Sequence, residues 1–394
     1  MELVQEKYKQ TEIGLIPSDW KVDFIKNIAQ IKTGSRNTQD RLENGLYPFF
    51  VRSQTIERIN SFSFDGEAVL TAGDGVGVGK VIHYVNEKFD CHQRVYRISD
   101  FKSNINGYYF YLYFSNNFYN RIMQMTAKSS VDSVRMEMIA DMQIPLPPTI
   151  EEQNLIATAL SNADTWITNL ENLLAKKRQI KQGALQELLK PKEGWKIKKL
   201  GDISSLITKG TTPTSVGKDF QKKGINFIKI ESLQKNGDII KEKVAFIDND
   251  THKLLFRSQL KSNDILFSIA GALGRVAIVK DEILPANTNQ ALSIIRLLDE
   301  TIVNYRFVYY VLNDEKIQKY INTISVQGAQ ANLSLLNISE FEIPLPLKEE
   351  QARIAIILTD MDIEIEQLET KLEKAKKVKQ GMMQELLTGK TRLV

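Results

Sequence analysis

Two stretches of this 394-residue chain are near copies of each other, and that repeat restricts the fold more than any other feature. Ile144-Pro145-Leu146-Pro147 returns as Ile343-Pro344-Leu345-Pro346. After one deleted residue, 151–189 matches 349–387 at a constant offset, with roughly half the positions identical. The ends match best: Glu151-Glu152-Gln153 returns as Glu349-Glu350-Gln351, and Lys181-Gln182-Gly183 with Gln186-Glu187-Leu188-Leu189 returns as Lys379-Gln380-Gly381 with Gln384-Glu385-Leu386-Leu387. The regions between are related more loosely. Trp20-Lys21-Val22 resembles Trp195-Lys196-Ile197, and each half later carries an apolar run, a glycine-rich turn and a second apolar run. The chain therefore reads as variable module, long helix, variable module, long helix.

The apolar positions of the repeated blocks alternate at spacings of four and three, the pattern of a coiled-coil seam. They are Ile156, Leu160, Ala163, Ile167, Leu170 and Leu174 in the first block, and Ile354, Leu358, Met361, Ile365, Leu368, Leu372 and Ala375 in the second. A helix of ~38 residues would run on the order of 57 Å and cannot bury such a stripe against itself. Two solutions follow: the copies pack as an antiparallel pair related by a pseudo-twofold axis, or each packs on its own module. The prolines make Ile-Pro-Leu-Pro a stiff lead-in rather than helix. Thr149 and Glu152 form a capping box for the first helix. Gly183 and Gly381 lie inside good helices at a cost of ~1 kcal/mol each, which suggests close approach of another backbone or a helix break. The basic runs Lys176-Lys177-Arg178 with Lys181, and Lys374 with Lys376-Lys377 and Lys379, suit a solvated face or phosphate contacts.

Composition excludes several classes. Hydrophobic content of 42% supports real cores, and the net charge of +4 neither requires nor forbids nucleic acid. No run of ~20 uncharged apolar residues is present to span a membrane. A lone cysteine, Cys91, excludes an intrachain disulfide. With no secretory pattern in Met1–Lys7, a cytoplasmic location is expected.

Each module mixes helices with short strands, an α+β composition with antiparallel pairing. Strands are expected at 68–71, 80–85 and 94–98, and at 226–230, 265–269, 275–279 and 291–297. The aromatic run Tyr108–Phe114 has a helical period and reads as core rather than a base-stacking surface. Gly73-Asp74-Gly75-Val76-Gly77-Val78-Gly79-Lys80 fails as a phosphate loop: Asp74 stands where glycine is needed, and Val81 follows the lysine. It fits a turn between strands. The three histidines and Cys91 have no zinc spacing, and no nucleophile, Walker or amino-methyltransferase motif is found. No catalytic, cofactor or metal site is expected in this chain.

The loops carry groups suited to base edges and phosphates. In the first module these are Lys32, Arg36, Asn37, Arg41, Arg52, Gln54, Lys80, Gln93 and Arg94. In the second they are Lys209, Thr211, Thr212, Lys218, Lys229, Ser232, Arg275, Asn287, Asn289, Gln290, Gln327 and Gln330.

Taken together, the paired Ile-Pro-Leu-Pro, Glu-Glu-Gln, seam and Gln-Gly-x-x-Gln-Glu-Leu-Leu blocks resemble the specificity subunit of type I restriction–modification systems, over nearly the whole chain. The second helix departs by lacking the threonine cap and one linker residue. The resemblance implies two target-recognition domains, each reading one half of a split duplex DNA site. It also implies two long helices that set the gap and dock two modification subunits. S-adenosylmethionine, ATP and Mg would belong to those partners and to restriction subunits. On this reading the domains run 1–148 and 191–346, with the first long helix at 149–190 and the second, together with a C-terminal tail, at 347–394. A non-translocating restriction–methylation enzyme would use the same chain, and a protein-binding coiled-coil scaffold would lack salt-sensitive DNA affinity.

Overall fold

The computed structural model describes residues 7–125, 133–234, 236–299, 301–326 and 332–393. Both repeated blocks are unbroken 39-residue helices, Ile150–Leu188 and Lys348–Leu386. The chain divides into two compact units, each drawing on both: Met1–Leu170 with Lys371–Val394, and Glu171–Thr370. In the first unit, Ile156 and Leu160 of the first helix share a core with Leu386 and Leu387. In the second, Ile354 and Leu358 of the second helix share a core with Leu189. Each module thus buries the start of the helix that follows it and the end of the other. Within each unit the helix halves run antiparallel; of the remaining seam residues, Leu170, Leu174 and Ala375 are buried and Ile167, Ile365, Leu368 and Leu372 half-buried.

The same polar contacts recur in both units. Lys181 pairs with Asp362 and, at the equivalent positions, Lys379 with Asp164. Lys177 and Arg178 also pair across, with Glu364 and Glu369. These four cations of the late basic runs are therefore neutralised by the facing helix. Gln153 accepts from the Asn106 backbone N–H at 2.9 Å, as Gln351 does from Asn304. Glu152 is clamped by Arg392, which also forks onto Asp19 at 3.0 Å; Glu350 accepts from Lys192 and from the Trp195 indole, both at 3.2 Å. The Glu152 backbone N–H does donate to Thr149 Oγ1 at 3.2 Å, while its carboxylate is held by Arg392.

The Ile-Pro-Leu-Pro segments are more than lead-ins. Gln143–Leu146 pairs antiparallel with Lys21–Phe24, and Glu342–Leu345 with Lys196–Lys199. Proline lacks a ladder donor, which confines it to edge positions that a two-stranded ribbon supplies. Pairing in the module sheets is mostly antiparallel, with one parallel pair in each unit among the described strands. The first unit has a six-stranded sheet in the order Gln30–Thr33, Val95–Ser99, Phe64–Ala72, Ile82–Cys91, Tyr47–Phe50, Glu57–Ile59. Tyr47–Phe50 runs parallel to Ile82–Cys91. The second unit has a four-stranded sheet, Ser204–Lys209, Leu292–Leu297, Ile265–Ser268, Val276–Ile278. Beside it lies a three-stranded sheet in which Ile225–Ile228 runs parallel to Ala286–Thr288. The helix Gly107–Met125 buries Tyr109, Phe110, Phe114 and Phe118, with the last two rings stacked 4.4 Å apart, so the aromatic run is core. No helix among the described residues is long and apolar enough to cross a membrane.

Gly183 and Gly381 neither break their helices nor meet another backbone: a Cβ added at either would find nothing within 4 Å. Alanine relieves backbone entropy without a clash, so Gly183→Ala and Gly381→Ala should each add ~1 kcal/mol of stability, additively, read as a rise in Tm. Asp362 accepts from Lys181 and from the Tyr310 hydroxyl at 2.8 Å in a mostly covered position. Asp362→Ala leaves both donors without it and should cost ~1–3 kcal/mol. Losing the exposed Lys377–Glu373 pair should cost less than ~0.5 kcal/mol.

Candidate nucleic-acid interface

In the first unit the loop after Gln30–Thr33 is strapped across the end of the neighbouring strands. Gly34 allows it, since a Cβ there would lie 2.0 Å from the Cys91 carbonyl oxygen. The Gly34 N–H donates to Val95 O at 3.2 Å, and the Gln93 N–H to Arg36 O at 2.8 Å. The Gln93 amide then donates to Asn37 Oδ1 at 2.7 Å. Arg36 binds Asp90 at 3.1 Å, a buried carboxylate that also accepts from the Ser61 and Ser63 hydroxyls. Arg36 is therefore a strut, because removing it strands a buried charge.

Asp74, at the start of the glycine-rich turn, holds Arg52 at 2.6 Å and lies 3.7 Å from Arg94. The Gln54 amide donates to Lys80 O at 2.9 Å, and the Lys80 ammonium stands over the Tyr119 ring. Burial, with Arg52 and Arg94 adding to it, holds His92 below the usual histidine range. The neutral ring accepts the Arg94 N–H on Nδ1 at 3.0 Å. Asn37, Arg52, Gln54, Lys80, Gln93 and Arg94 are thus exposed on one set of interlocked loops. Lys32 lies in the edge strand opposite Arg97, and Arg41 pairs with Glu57 at 3.1 Å, so these two stand outside the network.

The second unit repeats the strap with other side chains. A Cβ on Gly210 would lie 2.1 Å from the Thr288 carbonyl oxygen, and the Gly210 N–H donates to Leu292 O at 3.3 Å. The Thr212 hydroxyl bonds Gln290, the counterpart of the Asn37–Gln93 bond. The Thr211 N–H donates to Thr288 O at 3.0 Å, and Asn289 caps the Ala291 N–H at 3.2 Å. Lys209 ends its strand exposed opposite Ser293. The Lys229 ammonium stacks on Phe220 at 4.4 Å, Arg275 reaches the Ile230 carbonyl at 3.4 Å, and Lys218 is half-buried.

Two expected contact residues are posts instead. Asn287 is wholly buried and spends its amide on Leu255 O and Ser258 Oγ; Ser232 is wholly buried and donates to Lys243 O. Asn287 occupies the position that Asp90 holds in the first unit. Gln327 and Gln330 lie outside the described residues. Asp74 and Asp90 were not expected as site residues. Their acidity runs against a phosphate-binding role, and only the fold reveals that they orient arginines.

The family model for the type I restriction modification DNA specificity domain matches twice, over residues 17–182 and 192–377. The chain belongs to that family. Each match runs through one module and most of the helix after it. The MjaVIII specificity subunit of Methanocaldococcus jannaschii is 25% identical over 423 residues, covering 99% of this chain and 97% of that protein. The EcoDI specificity subunit of Escherichia coli is 31% identical over 169 residues, 43% of this chain and 36% of that protein. The type I restriction–modification S subunit of M. genitalium shares the fold with a TM-score of 0.65 at 16% identity, covering 96% of this chain and 98% of that one. This is a DNA-recognition subunit of a type I restriction–modification complex.

Cys91 reports on the first strap. It is buried beneath Gly34, and burial pushes its thiol up to about 12. At neutral pH the native subunit should resist iodoacetamide until it is unfolded. Gly34→Ala should displace the loop and make Cys91 react in the folded protein; an unreactive thiol in that variant would refute the role given to Gly34.

Proposed function

We propose that each module reads one half of a bipartite duplex site through its strapped loops, with the two long helices setting the gap. The helices also dock two modification subunits. S-adenosylmethionine-dependent adenine methylation is then the work of those partners, and ATP- and Mg-dependent translocation and cleavage the work of restriction subunits. The site lies in a cytoplasmic complex, and this chain contributes position rather than catalysis.

The observation that carries this reading is one support built twice with different tips. Gly34 and Gly210 cross the same backbone, and Gln93 and Gln290 occupy matching places. The partners differ: Asn37 and Arg94 in one, Thr212 and Ala291 in the other. Arginine forks onto guanine, and Asn or Gln pairs with adenine, so exchanged tips on a constant frame select different bases.

The test is a methylome of cells expressing this subunit with its modification partner. A split motif with a fixed unspecified gap is expected. Arg94→Ala should relax bases in one half and Gln290→Ala in the other, by ~1–3 kcal/mol each, with the gap unchanged. Affinity for the site should fall steeply with salt. A continuous motif, or a purified complex that methylates nothing and binds DNA independently of salt, would overturn the reading.

A further inference from the structure

The glycine-rich turn of the first module presents one side chain that the loop network leaves unused. Val76 is 99% exposed, more than any other large hydrophobic side chain among the described residues. An isolated exposed apolar residue is ordinary in itself. This one is held out by a clamped turn. The Gly73 N–H donates to Arg94 O at 2.8 Å, and Gly73 O accepts from the Val134 N–H at 2.7 Å. The N–H groups of Val78 and Lys80 close onto Gly75 O and Gly77 O at 3.1 and 3.0 Å. Gly75 has φ of 78°, where a side chain is strained, and a Cβ on Gly77 would lie 2.8 Å from the Arg52 carbonyl oxygen. Both legs are therefore fixed, and Val76 is carried at the apex beside Arg52 and Arg94, the two arginines that Asp74 orients.

The matching turn of the second module differs. Leu273 there packs on the core before Gly274, as Val78 does here before Gly79, and the exposed apex is Gly271 and Ala272, which carry no branched side chain. Of these two turns, the first carries a branched apolar side chain at its apex and the second does not. The apolar feature a base edge shows in the major groove is the C5-methyl of thymine. Wedges that part base steps use longer side chains than valine. We propose that Val76 is a specificity-determining residue of the first module, packing on the methyl of a thymine in the half-site that Arg52 and Arg94 flank. This rests on the DNA-reading function proposed above.

The test uses the full-length subunit with its modification partner and the duplex carrying its methylated motif. Each thymine is replaced in turn by deoxyuridine, which removes the methyl alone. In the half-site that Arg94→Ala relaxes, one replacement should weaken wild-type binding on the order of fivefold. Val76→Ala should lose about as much on the thymine duplex and no longer distinguish uracil from thymine there, with Tm and the other half-site unchanged. Undiminished binding by Val76→Ala, or an equal uracil effect in both proteins, overturns the proposal, as does a half-site without thymine. Failure of the wild-type complex to bind any duplex in a salt-sensitive way is the separate outcome that removes the DNA-reading function itself.

Discussion

A helix of 39 residues with a single narrow apolar stripe has nowhere to hide that stripe alone, and the rest of the molecule follows from how it is covered. Each unit is a module closed by the beginning of one helix and the end of the other, so neither module is completed by contiguous sequence. The two solutions open at the level of sequence are both used. Ile156 and Leu160, like Ile354 and Leu358, sink into module cores. Farther along, Leu170, Leu174 and Ala375 are buried while Ile167, Ile365, Leu368 and Leu372 are half-covered, and polar pairs help set the alignment.

Those pairs show why the repeat is strongest at its two ends. Glu152 and Glu350 sit at helix starts, where a carboxylate is favoured by the exposed N–H groups. Each is held by residues that follow the opposite helix: Arg392 in one unit, Lys192 and Trp195 in the other. Gln153 and Gln351 each tie the start of a long helix to the entry of an aromatic helix. Lys181 and Lys379 reach the facing helix at Asp362 and Asp164. Every strongly repeated polar residue named here has a partner whose loss would leave a mostly covered charge or amide unsatisfied. Gly183 and Gly381 are the exception, repeated without any neighbour near enough to require glycine.

The sequence made the helices, the seam and the aromatic core legible because each is a periodic signal, and periodicity survives without knowledge of tertiary partners. Strand positions in the central hairpins were legible for the same reason. The Ile-Pro-Leu-Pro ribbons were not, because proline argues against a strand unless one knows that its partner, Lys21–Phe24 or Lys196–Lys199, lies on one side only. The parallel pairs of Phe50 with Cys91 and Ile228 with Thr288 join distant segments, which no local pattern announces. At the candidate surface the residue types were visible but not their placement. Gln93 and Gln290 are tips, whereas Asn287 and Ser232, equally polar in sequence, are buried posts. That difference is set by burial, and burial depends on which strand lies above.

On the proposed reading, the division between posts and tips is also what lets one fold read different sequences. The expensive parts of each surface are backbone crossings and buried polar anchors: Gly34 against Cys91 with Asp90 beneath, Gly210 against Thr288 with Asn287 beneath. A substitution there costs folding, because an unpaired buried group or a Cβ inside a carbonyl has no cheap accommodation. The tips cost almost nothing to change, since exposed substitutions move stability by about 0.5 kcal/mol or less. Asp90 and Asn287 illustrate the first class varying only with its surroundings: the carboxylate comes with Arg36 and two serines, the amide with His252 and Ser258. Arg94 and Ala291 illustrate the second, occupying equivalent places with no shared chemistry at all. Recognition in such a subunit can therefore diverge freely at the rim while the frame that aims it is held by folding alone.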